Sequence, residues 1–72
     1  MLYNVYMEFK EIIICLRKEK KFTQKQVAEL LQMSETGYAS WEQGLSEPSL
    51  SAVKRLCKIY DVTADYLLGL ED

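Results

Sequence analysis

The side chains that most often perform catalysis or bind metals are scarce in this 72-residue sequence. It contains no histidine, and its two cysteines, Cys15 and Cys57, are far apart in the chain. A zinc site is not expected without histidine or a close cysteine pair, and neither thiol is accompanied by a plausible base. A glycine-rich phosphate loop is also missing from the sequence. We therefore predict no enzymatic activity, no metal and no cofactor.

Both cysteines fall within helical patterns, and we interpret them as buried free thiols. The alternative, a disulfide, would suit a secreted scaffold, but the N-terminus lacks the features of a signal peptide. No apolar run approaches the roughly 20 residues that a membrane span needs. The sequence thus predicts a cytoplasmic protein that does not enter a membrane.

Hydrogen-bonding chemistry is concentrated in residues 23–44. The hydroxyls of Thr36 and Ser40 can donate to base edges or contact a thymine methyl group. The Glu35 carboxylate repels phosphate but can accept from a cytosine amino group, and it can equally serve to stabilise a helix start. The amide of Gln24, with free backbone N–H groups beside it, can bind a phosphate, or it can simply be a solvated residue.

The formal net charge of −2 is unfavourable for a protein that binds nucleic acid. The distribution of charge is more informative than its sum, because a local basic patch is what meets the phosphates. The positive residues form two groups, which are Arg17, Lys18, Lys20, Lys21 and Lys25, then Lys54, Arg55 and Lys58.

The elements that would position these side chains are helices. Apolar residues spaced three and four apart predict a first helix over about residues 8–21, and residues 1–7 form an extension, either an arm or a short strand. Four cap residues predict the starts of the other helices, at about 24–32, 35–43, 50–60 and 64–68; they are Thr23, Ser34, Ser49 and Thr63. Two short helices joined by three or four residues have the spacing of a DNA-binding helix-turn-helix.

An ordered string of residues resembles the Cro/phage-repressor (Xre-like) helix-turn-helix family over about residues 8–69. The string is Thr23-Gln24, Val27-Ala28, Leu31, Met33-Ser34, Tyr38, Trp41-Glu42, Gly44, Pro48-Ser49, Val62-Thr63 and Leu67-Leu68. The resemblance implies an all-α, compact five-helix lambda-repressor-like DNA-binding domain over residues 8–70. It also implies a transcriptional regulator, more commonly a repressor, that binds double-stranded DNA as a homodimer.

The resemblance also implies roles for individual residues. The DNA-binding set is Gln24, Lys25, Glu35, Thr36, Gly37, Ala39, Ser40 and Gln43. Arg17 and Glu42 occupy positions that form a partly buried salt bridge between the first and third helices in this family. Three departures from the family pattern weaken the DNA assignment. Gln32 replaces a frequent turn glycine, Gly37 lowers helix propensity, and Leu45 with Glu47 stands in a loop that is often basic.

A protein-interaction module, such as an antitoxin that keeps this fold with weak or no DNA binding, is the alternative function. Such a module would fit the negative net charge, and its partner would be another protein. Two surfaces are candidates for a homodimer, or alternatively complete a small core, which is the favoured interpretation for Leu67. One combines Ile12, Ile14 and Cys15 with the N-terminal extension, and the other is formed by Tyr66, Leu67, Leu68 and Leu70.

Overall fold

Five α-helices and no strand make up the part of the chain that the computed structural model describes, residues 7–70. The predicted arm or strand therefore lies, except for Met7, outside the described residues. The helices are α1 (Phe9–Glu19), α2 (Gln24–Leu30), α3 (Glu35–Glu42), α4 (Leu50–Tyr60) and α5 (Ala64–Leu67). The predicted all-α, five-helix fold is confirmed. The predictions placed the C-terminal ends of α1, α2, α3 and α5 one or two residues too late, because the last turn of each helix is already unwinding there.

The helix starts follow the predicted caps. The hydroxyls of Thr23, Ser34, Ser49 and Thr63 each accept a hydrogen bond from the backbone N–H three residues later. Thr23 and Gln26 form the predicted reciprocal capping box. A second capping box, between Glu8 and Glu11, begins α1. These bonds satisfy backbone donors that have no partner within the helix.

All five helices end in the same way, at a residue with positive φ. These residues are Lys21 (61°), Gln32 (59°), Gly44 (77°), Asp61 (55°) and Gly69 (77°). After each of them, the next N–H bonds back to a carbonyl five residues earlier, as Met33 does to Ala28 at 3.0 Å. Gln32, which stands in place of a frequent turn glycine, adopts the left-handed conformation, and only two of the five positions carry glycine, the residue that adopts it without strain.

Replacing Gln32 by glycine is expected to stabilise the protein by about 0.5–1 kcal/mol, because it removes a side chain from a left-handed backbone. Thermal or urea unfolding measures the change. The matched control is Glu29→Gly at an exposed position inside α2, where glycine should cost about 1 kcal/mol. Equal effects at the two positions would contradict the assignment of strain to Gln32.

The core joins all five helices. Its fully buried side chains are Ile13 from α1, Val27 from α2, Tyr38 from α3, Leu56 from α4 and Leu67 from α5. Ala28 is also buried, and the rings of Tyr38 and Trp41 meet edge to face with their centroids 5.7 Å apart. This packing fixes α3 against α1 and α2.

The structure decides one alternative about α1 and corrects one prediction. Ile12, a candidate for either an outer apolar surface or the core, is only 4% exposed and belongs to the core. Cys15 is exposed rather than buried, because it lies on the side of α1 away from the other helices. Cys57 is partly buried, and both cysteines are free thiols, as predicted.

Candidate nucleic-acid interface

The third helix has one buried and one open side. Tyr38, Trp41 and Glu42 are buried, and the short turn from Leu31 to Ser34 joins α3 to α2. Glu35, Thr36 and Gln43 are exposed, whereas Gly37, Ala39 and Ser40 are partly buried. We call these six residues the outer face of α3. It brings together six of the eight residues that the sequence predicted to contact DNA, and the other two, Gln24 and Lys25, lie in the first turn of α2.

An ion pair connects the C-terminal end of α3 to α1. The Arg17 Nε atom donates to Glu42 Oε2 at 2.7 Å, and Nη2 donates to Oε1 at 3.1 Å. The third nitrogen, Nη1, donates to the backbone carbonyl of Phe22 at 3.0 Å. The two side chains are 14% and 5% exposed. The bidentate geometry fixes the orientation of α3 relative to α1 and to the start of α2.

Burial would raise the pKa of Glu42, but the hydrogen bonds from Arg17 and Gln24, together with the nearby Tyr38 hydroxyl, outweigh it and lower that pKa below its usual range. The same hydrogen bond to Glu42 raises the pKa of Arg17 despite its partial burial. The pair is therefore ionised at neutral pH. The two charges sum to zero, so the pair adds no net charge to the domain.

Gln24 belongs to this network. Its Nε2 donates to Glu42 Oε1 at 2.8 Å, so that one of its two amide hydrogens is already used inside the protein. Glu42 thus links α1, α2 and α3 through two residues. Sequence reasoning considered Gln24 as a phosphate-binding or a solvated residue and missed this contact, for which the sequence carries no signal.

Two buried tyrosine hydroxyls lie near the same carboxylate. The hydroxyls of Tyr38 and Tyr60 are buried, and neither makes a hydrogen bond of normal length and angle within the described residues. Burial raises the pKa of both phenols, and the negative charge of Glu42 adds to the effect. Both remain neutral, so they surround the ion pair with uncharged polar groups.

The Ser40 hydroxyl makes its hydrogen bonds within the protein. Its hydroxyl donates to the carbonyl of Gly37 at 2.6 Å and also contacts the hydroxyl of Ser46. The Ser40–Ser46 contact connects α3 to the loop that follows it. Ser46 was not among the predicted site residues. A base contact in which Ser40 donates would have to replace its bond to the Gly37 carbonyl, because a hydroxyl has one donor hydrogen, whereas Thr36 is exposed and is not involved in these interactions.

The outer face of α3 lies in a segment without cations. Residues 26–53 contain no lysine or arginine but four glutamates, Glu29, Glu35, Glu42 and Glu47. Arg17 neutralises Glu42. Lys25 stands at the start of α2, and Arg55 from α4 donates through Nη1 to the carbonyl of Leu31 at the end of α2, at 3.1 Å. Cations thus stand at both ends of α2, and not on α3.

The helices α2 and α3 are both capped and are joined by a short turn. The Arg17–Glu42 ion pair fixes α3, and the outer face of α3 is open to solvent. This arrangement defines a helix-turn-helix domain. The chain belongs to the helix-turn-helix family, whose model matches residues 16–67. The proteins that it resembles are transcriptional regulators.

Three relatives illustrate the similarity. The HTH-type transcriptional activator BcrR of Enterococcus faecalis is 41% identical over 66 residues, which cover 92% of this chain and 32% of BcrR. The HTH-type transcriptional regulator AnsR of Bacillus subtilis is 41% identical over 56 residues, 78% of this chain and 48% of AnsR. A crystal structure of a transcriptional regulator from Listeria innocua superposes with a TM-score of 0.84 at 28% identity, covering 90% of this chain and 61% of that one.

The matched region thus spans from about a third to about half of the length of the two curated relatives. Within residues 7–70, none of the helices has the length and apolar character to cross a membrane.

Proposed function

We propose that the protein binds double-stranded DNA at specific sequences in the cytoplasm, as a homodimer, and represses transcription there. The observation that carries this proposal is the outer face of α3, a row of small and polar side chains on a helix oriented by a buried ion pair. In helix-turn-helix proteins the residues at the start of this helix contact base edges in the major groove. Here they are Glu35 and Thr36.

Each residue of the outer face has a role in this proposal. Thr36 contacts a base edge or a thymine methyl group, and Glu35 accepts from a cytosine amino group. Ala39 has a small side chain that lets the helix approach the bases closely, whereas a β-carbon at Gly37 would meet Met33 and Ser34 at 3.1 Å, so this glycine acts through the packing of the turn against α3. Ser40 and Gln43 follow toward the end of the helix. The first turn of α2 binds phosphate through Lys25 and through the amide hydrogen of Gln24 that Glu42 leaves free.

Repression requires only that the protein occupy its site and exclude other proteins from it. The name of BcrR shows that an activator also exists among the relatives. A promoter carrying the selected site, fused to a reporter gene, distinguishes the two modes. We expect lower expression when the protein is present, and higher expression would overturn the repressor assignment while leaving DNA binding intact.

Selection from random duplex DNA with the purified protein at low salt tests the proposal. We expect a two-fold symmetric motif whose half-sites lie about one helical turn apart. Thr36→Ala should bind the selected site about 5- to 150-fold more weakly, since one base contact is worth about 1–3 kcal/mol. Glu29→Ala, an exposed change on α2, is the control and should bind normally. Absence of enrichment with folded protein would overturn the proposal.

The cation-free segment, residues 26–53, favours a second candidate function. An acidic outer face of α3 would suit a protein partner better than a phosphate backbone. The protein would then be an interaction module that keeps the helix-turn-helix fold. The same selection separates the two functions, because this candidate predicts no enriched sequence at any salt concentration.

A further inference from the structure

The outer face of α3 carries a second hydroxyl besides that of Thr36. Ser40 lies one helical turn further along the same face, because side chains four residues apart in a helix are neighbours. The residue is partly buried, and its hydroxyl contacts two partners at once. The directions of these two hydrogen bonds decide what Ser40 can offer to a base.

The turn after α3 brings Ser46 back to Ser40. Gly44 follows the helix with a φ of 77°, and the N–H of Leu45 donates to the Ser40 carbonyl at 2.9 Å. This backbone bond is typical of a helix that ends in a left-handed residue, and it directs the chain back along the last turn. The Ser46 hydroxyl therefore meets the Ser40 hydroxyl.

The chemistry of the acceptor fixes the direction of both bonds. The Ser40 hydroxyl contacts the Gly37 carbonyl at 2.6 Å, and a carbonyl can only accept, so Ser40 gives its single hydrogen to Gly37. The Ser46 hydroxyl must then be the donor in its contact with Ser40. A hydroxyl oxygen has two lone pairs. One of them accepts from Ser46, and the other is left on the partly exposed side chain of Ser40.

We propose that Ser46 is a positioning residue that makes Ser40 an acceptor-only group, so that Ser40 selects adenine or cytosine in the major groove. These two bases present an amino group there, whereas guanine and thymine present an oxygen that would face the Ser40 oxygen as a second acceptor. This inference rests on the proposed function. It replaces the donor role that the sequence suggested for Ser40.

Ser46 is needed because the bond to Gly37 is a weak restraint by itself. Serine commonly makes such a bond to its own helix, and a hydroxyl that loses it can turn and donate elsewhere. The hydrogen bond from Ser46 holds the Ser40 oxygen in place. It also polarises the Ser40 hydroxyl, which strengthens the bond to Gly37. Donation from Ser46 to a phosphate would require breaking this arrangement.

Selection from random duplex DNA with serine variants tests the proposal. The position that Ser40 contacts is the one whose base preference disappears in Ser40→Ala, and we expect wild type to select adenine or cytosine there. Ser46→Ala should lower the discrimination at that position about 3- to 10-fold, the equivalent of one hydrogen bond, and admit guanine or thymine. Ser46→Thr keeps the hydroxyl and should keep the wild-type preference.

Two further variants separate positioning from a general effect on structure. Ser51→Ala is the matched control, because it also removes an exposed serine hydroxyl that contacts another serine, Ser49, at 3.2 Å. It should leave the base preference unchanged. In a Ser40→Ala background, Ser46→Ala should have no further effect on base preference, because the residue that it positions is gone.

The outcomes that contradict the inference differ from those that contradict DNA binding. Guanine or thymine at the Ser40 position of the wild-type site, or an unchanged preference in Ser46→Ala, would overturn the role of Ser46 and leave DNA binding intact. A uniform loss of affinity across all sequences in Ser46→Ala would assign Ser46 to a phosphate and would also overturn it. Absence of any enriched motif with folded wild-type protein would overturn the proposed function itself.

Discussion

Replacing Arg17 by alanine is expected to lower the free energy of unfolding by about 3 kcal/mol, the loss typical of breaking one side of a buried ion pair. The variant leaves the Glu42 carboxylate, only 5% exposed, with Gln24 as its remaining hydrogen-bond donor. For a domain of this size the melting temperature should fall by roughly 10–20 °C. Arg55→Ala is the control, because it removes an arginine that makes one bond to the Leu31 carbonyl, and it should cost about 1 kcal/mol.

The effect of Arg17→Ala should also depend on pH. The pKa of Glu42 is lowered in the folded protein, so its ionisation stabilises the fold above the ordinary carboxyl pKa of about 4. That contribution is lost as the pH falls through the lowered value. In Arg17→Ala the unpaired carboxylate takes up a proton at higher pH, which removes its penalty. The gap between variant and wild type should therefore narrow on acidification, and a gap independent of pH would assign the loss to packing instead.

Replacing Glu35 by lysine is expected to raise the affinity for non-specific DNA about tenfold at low salt. The change removes a repulsive carboxylate from the first turn of α3 and adds one phosphate contact, which should steepen the salt dependence by about one unit. Preference for cytosine at the contacted position should disappear in the same variant, because lysine donates where the carboxylate accepted. Fluorescence anisotropy over a series of salt concentrations measures the first effect, and selection from random DNA measures the second.

Glu29→Lys is the matched control for this experiment. It makes the same change of two charges on an exposed residue of α2, away from the outer face of α3. Its effect on affinity should be small and should not alter base preference. An equal gain from both variants would indicate that overall charge, rather than the position of Glu35, governs binding.

The sequence predicted the fold well because its local signals are strong. Four hydroxyl caps and the apolar spacing of α1 define where the helices begin, and the left-handed Gln32 follows from its place in a short turn. These features depend on residues within one turn of each other. The Arg17–Glu42 contact is different, since 25 residues separate its members, and only the family resemblance indicated it.

What the sequence could not show depends on contacts between elements. The bond from Gln24 to Glu42, the contact between Ser40 and Ser46, and the burial of the Tyr60 hydroxyl near the ion pair arise only when the helices pack. Cys15 was predicted to be buried because it falls within the helical pattern of α1, yet it lies on the exposed side of that helix. The open apolar groove lined by Phe9, Trp41, Leu50 and Leu68 was likewise beyond sequence reasoning, because its residues come from α1, α3, α4 and the residue after α5.

The cation-free segment from residue 26 to residue 53 has a consequence for how the protein would find its site on a chromosome. Most regulators spend much of their time on random DNA, because phosphate attraction does not depend on sequence. With lysines only at the flanks of α3, residence on random DNA should be brief, and search should proceed through solution more than by sliding. Occupancy of the operator would then follow the cellular concentration of the protein closely, which would make expression level an effective control of regulation.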